Sequence, residues 1–362
     1  MTLEASRSML APELEAFRAQ VPLLGSTIYL ANCSQGPLSN PVRAAVDAFL
    51  ATWADAGMHW EAWVGEVERA RTAFADAIGA DASDVAVGTS ESQLVSSLVS
   101  ALVTRPDGGR RRILTSVAEF PGVAHAWMGA AKHGWRVDHV PWAIDEALSP
   151  GAVVDLIDDP TAVVSIPHVV YANGALVDPI PVVDEAHRRG ALVFLDAYQS
   201  VGTMPIDARE LGVDFLAAGA LKYLMGTAGV AFLYVSPEVR GSLKPAATGW
   251  FGRTDPFAFD PATLDYPAAA SRFDLGTPPI LNAYVARAGI ELVAGTGPAA
   301  IRAQVERLSA VAFEAAGELG LRVLGPASPE EKGAATAIDA GDVHRASRAE
   351  EALRERSIVV AA

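Results

Sequence analysis

Short apolar runs alternate with amphipathic stretches between residues 112 and 218, and this alternation restricts the possible folds more than any other feature. Five of the runs are typical of buried strands: Arg112–Ser116, Arg136–Val140, Ala162–Ile166, Ala191–Asp196 and Asp214–Ala218. The stretches between them predict helices at Pro121–Lys132, Ala152–Ile157 and Pro179–His187. Strands that alternate with helices form a mostly parallel sheet covered by those helices. The sequence therefore predicts an α/β fold, with the sheet sandwiched by helices.

The pattern changes near residue 280. Two helical segments, Ile280–Ala294 and Pro298–Leu319, precede shorter strands near Arg322–Leu324 and Ala335–Ile338. This order predicts a smaller C-terminal α+β domain, and a chain of 362 residues is long enough for two domains. We expect an N-terminal arm (residues 1–50), a large domain (51–279) and a small C-terminal domain (280–362).

Charge and cysteine content exclude several classes of protein. The net charge of −15 argues against a nucleic-acid partner, because phosphate binding requires clustered cations. A single cysteine, Cys33, excludes an intramolecular disulfide and a multi-cysteine metal site, and we expect no metal. The sequence contains neither a signal-peptide pattern nor an apolar run long enough for a membrane span, so we expect a cytoplasmic enzyme.

Two polar residues at strand ends are the strongest site candidates, because ligands of open α/β sheets bind beyond the carboxyl ends of the strands. Asp196 ends the run Ala-Leu-Val-Phe-Leu-Asp, and such a carboxylate is costly unless a cation pairs with it or it caps a helix. Lys222 follows the next strand among apolar and glycine residues, either as a lysine with a depressed pKa or as one that reaches solvent from a strand end. Pyridoxal 5′-phosphate (PLP) requires a carboxylate for its pyridine nitrogen and a lysine for its aldehyde. We therefore predict Asp196 and Lys222 as the catalytic pair of a PLP enzyme.

The other three lysines of the chain have contexts that make them weaker candidates. Lys132 and Lys244 lie in polar or proline-flanked sequence, and Lys332 lies in Glu-Glu-Lys-Gly. Lys222 is therefore predicted to be the one enclosed lysine.

A helix start follows the strand pattern at Val85. The segment Gly88-Thr89-Ser90-Glu91 offers backbone N–H groups and hydroxyls to a phosphate, although the same residues also form an ordinary helix cap. With PLP expected, Thr89 and Ser90 become candidates for phosphate binding.

Taken together, these motifs resemble the class V aminotransferase family of fold-type I PLP-dependent transferases, and especially its kynureninase-like branch. The resemblance implies roles for Gln199 near the cofactor hydroxyl and for Phe120, in Phe-Pro-Gly, as the ring stacked on the cofactor. It also implies that Trp250, in Gly-Trp-Phe-Gly, and Thr277, in Thr-Pro-Pro-Ile, reach the phosphate of the neighbouring subunit in a homodimer.

Departures from the kynureninase pattern leave the reaction open. This chain has Leu221 where kynureninases have tyrosine, and Gln199 where they have histidine. We expect an enzyme that acts on the α-amino group of an amino-acid-type substrate through an external aldimine, by transamination or side-chain lysis. A kynureninase-type hydrolase, a C–S lyase and an inactive binding protein remain alternatives. Relative to the family the small domain is expected to be truncated, and Arg253 is the candidate cation for the substrate carboxylate.

Two other activities are disfavoured by the sequence. Cysteine desulfurization requires a nucleophilic cysteine late in the chain, whereas Cys33 lies near the start. A nucleotide-dependent dehydrogenase requires a Gly-x-Gly-x-x-Gly turn, which the sequence lacks.

Overall fold

The computed structural model describes residues 10–105 and 109–361. Its helices are α1 (Pro12–Ala19), α2 (Asn40–Ala56), α3 (Trp60–Ala77), α4 (Glu91–Leu102), α5 (Pro121–Met128), α6 (Pro150–Val154), α7 (Ile180–Arg189), α8 (Pro237–Arg240), α9 (Ile280–Thr296), α10 (Pro298–Glu318) and α11 (Val343–Arg354). Its strands are β1 (Ile28–Tyr29), β2 (Val85–Gly88), β3 (Arg112–Ser116), β4 (Arg136–Val140), β5 (Thr161–Pro167), β6 (Leu192–Asp196), β7 (Phe215–Gly219), β8 (Ala231–Val235) and β9 (Ile358–Val359).

Seven of these strands form one sheet, in the order β2-β8-β7-β6-β5-β3-β4. Strand β8 runs antiparallel to both of its neighbours, and the pairings from β7 to β4 are parallel. The predicted mostly parallel sheet is confirmed. Its parallel strands end at one edge, and Phe120, Asp196, Gln199 and Lys222 lie at or just beyond the ends of these strands.

Alternation along each strand sends apolar side chains to both faces of the sheet, where helices cover them. In β6, Val193 and Leu195 belong to the core on one face, and Phe194 belongs to the core on the other. On the first face Phe74 of α3 stacks on Phe232 with ring centroids 4.4 Å apart. On the second, Trp127 of α5 meets Phe194 edge-on at 5.3 Å. The predicted helix layers on both faces are thereby confirmed.

The region after residue 280 contains less strand than the sequence predicts. Residues 322–324 and 335–338 are joined by a single bridge between Val323 and Ile338, so the prediction of two strands here is wrong. Residues 331–333, which lie between these two segments, exchange backbone hydrogen bonds with residues 174–176. The last strand, β9, pairs in parallel with β1.

Helix α9 begins this C-terminal region and packs against α2 and α3. Tyr284 of α9 contacts Phe49 of α2 with ring centroids 5.7 Å apart, and both side chains belong to one small apolar cluster. The proposed division into an arm and two domains stays a prediction. Within residues 10–105 and 109–361, no helix is long and apolar enough to cross a membrane.

Candidate active site

The carboxyl ends of β6 and β7 bring the two strongest candidates into one cavity. Asp196 is the last residue of β6, and Lys222 follows the end of the neighbouring strand β7 by three residues. Both line a cavity of about 130 Å³, together with Glu91, Phe120, Pro167, Val169, Tyr171, Tyr198, Gln199 and Leu221. Four predicted site residues therefore meet here: Asp196, Gln199, Lys222 and Phe120. A larger groove of about 610 Å³ between α3 and α9 contains none of the predicted residues.

Asp196 is buried, with 6 % of its surface exposed, and hydrogen bonds orient its carboxyl group. Its Oδ1 accepts a hydrogen bond of 2.8 Å from the backbone N–H of Tyr198. Its side chain is also hydrogen bonded to the carboxyl group of Glu119. Burial raises the pKa of Asp196, whereas the hydrogen bonds and the charge of Lys222 act in the opposite direction. The carboxyl is thus fixed in place and its charge depends on its neighbours.

Lys222 is partly buried between aromatic rings and acidic groups. Its Nζ lies 4.7 Å from the ring centroid of Tyr198 and 5.4 Å from that of Phe120. Burial lowers the pKa of the amine, and the charges of Asp196 and Glu91 partly oppose this shift. A lowered pKa increases the fraction of neutral amine, which is the form that attacks a carbonyl.

Glycine at position 219, at the end of β7, makes room for this arrangement. A Cβ there would overlap the phenol oxygen of Tyr198, whose ring lies beside Lys222. The close approach of Tyr198 to the strand therefore requires glycine.

Two buried acids in the site were not singled out by the sequence analysis. Glu91 lines the cavity at 6 % exposure, and no described group is hydrogen bonded to its Oε1. Glu119, at 3 % exposure, is bonded to Asp196. Both follow strand ends without a basic neighbour in the sequence, which is the signal that identified Asp196. Applied to every strand, that signal would have found both acids.

The predicted phosphate-binding residues lie at the start of α4. Ser90 caps the helix by accepting a hydrogen bond from the backbone N–H of Gln93, and Thr89 donates its N–H to Oε1 of Gln93 at 2.8 Å. The Nε2 of Gln93 is buried and has no partner among the described residues. This helix start therefore presents an unused donor next to the hydroxyls of Thr89 and Ser90.

Gln199 joins the cavity to the N-terminal segment. Its Nε2 donates to the backbone oxygen of Cys33 at 3.2 Å, and its Oε1 is buried without a partner in the described chain. The segment around Cys33 is therefore part of the site wall, a placement that no motif indicated.

Thr89 and Ser90 do not line this cavity, and three further predicted residues also lie outside it. Trp250 packs edge-on against Trp60 at 6.2 Å, and Thr277 is exposed. Arg253 donates to Asp265 at 3.0 Å and to the backbone oxygen of Asp260 at 2.9 Å, so its charge is already paired. The structure therefore does not support Arg253 as the cation for a substrate carboxylate.

Lys222 is not the one enclosed lysine, and this expectation was wrong. Lys332 is 0 % exposed, and its Nζ donates to the backbone oxygens of Asn173 and Leu324. The polar residues around Lys332 in the sequence did not predict this burial, because its partners are backbone carbonyls from distant segments.

Comparison with known proteins identifies the family. Residues 28–362 match the family described as aminotransferase class V. The chain belongs to this family.

Relatives of this class V chain include an uncharacterized aminotransferase YcbU of Bacillus subtilis, with 35 % identity over 96 % of the chain and 90 % of that protein. A kynureninase of Geobacillus thermodenitrificans is 30 % identical over 78 % of the chain and 68 % of that protein. Among solved structures, the apo cysteine desulfurase of Thermococcus onnurineus superposes with a TM-score of 0.83 at 24 % identity, covering 97 % of this chain and 87 % of that one. The predicted fold type, enzyme class and PLP cofactor are confirmed.

The residues present fit the cofactor of the class V family. An unpartnered donor, Nε2 of Gln93, lies at the helix start, where an anionic phosphate requires donors. Acids lie in the cavity, where a protonated ring nitrogen requires acceptors, and one of them, Glu91, has an unpartnered oxygen. Donors near one end and acceptors with a lysine near the other match the charge distribution of PLP.

Proposed function

We propose that this class V enzyme holds PLP in the cavity of Asp196 and Lys222 and acts on the α-amino group of an amino-acid-type substrate. The observation that carries the proposal is the meeting of a lysine of lowered pKa and a buried carboxylate at adjacent strand ends. When bound, PLP supplies an electron-poor ring that stabilises negative charge at the substrate Cα. Transamination and side-chain lysis both use this chemistry.

Lys222 has two roles in the proposal. Its amine would hold the cofactor through the aldehyde, and its free Nζ would move protons to and from the substrate Cα. The rings of Tyr198 and Phe120 lie within 5.4 Å of Nζ and limit its movement and its contact with water.

Asp196 faces the ring nitrogen in the proposal. Because its Oδ1 is fixed by the N–H of Tyr198, the carboxylate is oriented before the cofactor binds. Its negative charge then keeps the ring nitrogen protonated.

The remaining cofactor contacts come from three other segments. Thr89 and Ser90 would hold the phosphate, beside the side chain of Gln93 that now accepts from the N–H of Thr89. Phe120 would stack on the ring, and Gln199 would contact the ring hydroxyl. The support for these roles is that Phe120 and Gln199 line the same cavity as Lys222.

Borohydride reduction tests the cofactor assignment. Protein incubated with PLP, reduced and digested is expected to carry the added mass on the peptide with Lys222, and Lys332 is expected to stay unlabelled. Lys222→Ala is the matched control and should lose the label. A label on another lysine, or none at all, would contradict the proposal.

A homodimer with shared phosphate sites is part of the proposal. Trp250 and Thr277 lie away from the cavity of their own chain, which supports a role in the neighbour's site. Subunit exchange tests this: Lys222→Ala and Thr277→Arg proteins should each be defective, and a mixture should recover one intact site per mixed dimer. A monomer by light scattering that still retains PLP would overturn the dimer.

Product analysis separates the reactions that remain open. Amino acids, kynurenine and cystine are offered to the holoenzyme, with and without a keto-acid acceptor. Acceptor-dependent formation of a new amino acid indicates transamination, and acceptor-independent cleavage indicates lysis. We also propose a cytoplasmic location, which a single cysteine supports because it cannot form an intramolecular disulfide; cell fractionation tests it.

A further inference from the structure

Three carboxyl groups from three different strand ends lie close together, and two of them, Glu91 and Asp196, also line the cavity of Lys222. Glu91 follows β2, Glu119 follows β3, and Asp196 ends β6. All three are at most 6 % exposed. Three buried negative charges beside the single cation of Lys222 would be strongly unfavourable. At least one of the acids must therefore carry a proton in the folded protein.

The hydrogen bonds indicate where this proton lies. The side chains of Glu119 and Asp196 are hydrogen bonded to each other, and two carboxyl groups form such a bond only when one of them is protonated. No side-chain bond joins Glu91 to either acid among the described residues, and burial followed by the charges of Asp196 and Glu119 raises the pKa of Glu91 well above its usual range as well. One proton is therefore held by the pair of Glu119 and Asp196.

Glu119 is fixed on its other sides by two donors. Its Oε1 accepts from the backbone N–H of Phe120, and its Oε2 accepts from the hydroxyl of Ser165, each at 3.1 Å. Ser165 in turn accepts from the indole N–H of Trp127 at 2.9 Å. This chain of bonds holds Glu119 against Asp196.

We infer that Glu119 is a positioning residue that shares a proton with Asp196 and thereby sets the negative charge facing the cofactor ring. The inference rests on the proposed function, since it assigns Asp196 to the ring nitrogen. A protonated Glu119 lets Asp196 remain a single, stabilised anion. Loss of that proton would leave Glu119 as a second anion beside Asp196. The added negative charge would hold a proton on the ring nitrogen more tightly.

The charged groups around Glu119 set the pH at which this happens. Burial and the charge of Asp196 raise the pKa of Glu119 well above its usual range, and the N–H of Phe120 and the hydroxyl of Ser165 lower it. Glu91 adds negative charge to the group, whereas Lys222 opposes it for Glu91 and for Asp196. His168, next to Asp196 through its backbone N–H, stays neutral because burial lowers its pKa to about 4.

Infrared spectroscopy of the cofactor-free protein tests the proton directly. The wild type should show the carbonyl stretch of a protonated carboxylic acid at neutral pH, and Glu119→Gln should lose a part of this absorption that Glu91→Gln keeps. Glu91→Gln is the matched control, because it removes a neighbouring acid that has no hydrogen bond to Asp196. Loss of the band in Glu91→Gln but not in Glu119→Gln would overturn the inference.

Absorbance of the bound cofactor tests the consequence. As the pH rises, the wild-type spectrum should show one ionisation that Glu119→Gln lacks, because glutamine keeps a donor to Asp196 but cannot lose its proton. Ser165→Ala should shift this ionisation to higher pH. A spectral titration unchanged in Glu119→Gln would overturn the inference while leaving PLP binding intact. Failure of the wild type to bind PLP would instead refute the proposed function, and the infrared band would still decide the location of the proton.

Discussion

Lys222 and Lys332 are surrounded by different chemistry, although both are enclosed by the protein. Lys222 lies in a cavity with acids and aromatic rings, and its lowered pKa reflects burial opposed by the charges of Asp196 and Glu91. Lys332 donates to two backbone carbonyls, and its lowered pKa, about 8, has burial as its cause. No carboxylate of the described residues is paired with it.

The difference separates a reactive lysine from a structural one. Carbonyl partners hold Lys332 in place and join residue 173 to residues 324 and 332, but they leave no space for a ligand. Acidic partners around an open cavity adjust the protonation of Lys222 and leave its Nζ accessible. A lowered pKa alone therefore does not identify the catalytic lysine; the accessible cavity does.

The largest expected effect is that of Lys222→Ala. Removal of the proton carrier and of the covalent link should lower turnover by about 10³-fold or more, without a large change in stability. Steady-state kinetics and thermal unfolding measure the two quantities. Lys332→Ala is the control, and the molecules of this variant that remain folded should turn over at the wild-type rate. Equal rate losses in both variants would contradict the distinction between a reactive and a structural lysine.

Asp196→Asn should have the next largest effect. The amide fits the same space but cannot carry the charge, and breaking one side of a buried charge pair costs about 3–5 kcal/mol. The rate should therefore fall by about 10²- to 10⁴-fold, while PLP remains attached to Lys222. Mass mapping after borohydride reduction distinguishes this variant from Lys222→Ala. Full activity would refute the role of Asp196.

Lys332→Ala should reduce stability rather than chemistry. The carbonyls of Asn173 and Leu324 lose their donor, and a buried unsatisfied group costs about 1–3 kcal/mol. Denaturant unfolding measures the loss, and Lys332→Met serves as a control that keeps most of the side-chain volume. An unchanged unfolding midpoint in both variants would show that the two bonds contribute nothing.

Phe120→Ala should weaken cofactor binding modestly. A ring stack contributes about 0.5–1.5 kcal/mol beyond area burial, so the dissociation constant should rise by about twofold to tenfold. Equilibrium titration with PLP measures it. Tyr171→Leu is a useful comparison, because Tyr171 contacts Phe120 edge-on at 5.1 Å. Unchanged affinity in Phe120→Ala would count against stacking.

A pH dependence specific to Lys332 is also expected. Because burial lowers its pKa from 10.5 to about 8, the folded state binds fewer protons than the unfolded state between these values. The stability of the wild type relative to Lys332→Met should therefore rise as the pH increases from about 8 to 10.5, and stay constant below that window. A difference that is flat across the window would indicate an ordinary pKa.

The strands of the sheet were predictable because each is a short apolar run bounded by polar residues. Arg112–Ser116 and Arg136–Val140 have the predicted bounds, whereas the predicted helix Pro121–Lys132 ends at Met128 and continues as a 3₁₀ turn. Lys222 and Asp196 were predictable because a charged side chain at the end of a buried strand is unfavourable unless it is paired or has a function. The proton-sharing contact of Glu119 was not, since sequence does not show that two strand ends meet. The burial of Lys332 was missed because its partners are backbone carbonyls, which every residue has and which therefore leave no pattern in the sequence.

The pairing of β1 with β9 connects the C-terminal region to the loop that carries Lys222, so a cofactor bound there is expected to respond to changes in the position of β9. Ile28 and Leu30 donate their N–H groups to Ser357 and Val359, and shortly afterwards the chain reaches Gly36, whose N–H binds the oxygen of Leu221, beside Lys222. The short segment of residues 28–36 therefore connects β9 to the loop that holds the lysine, and we expect a displacement of β9 to alter that loop. Optical signals from a chromophore on Lys222 would register motion at the opposite end of that segment, with no added label.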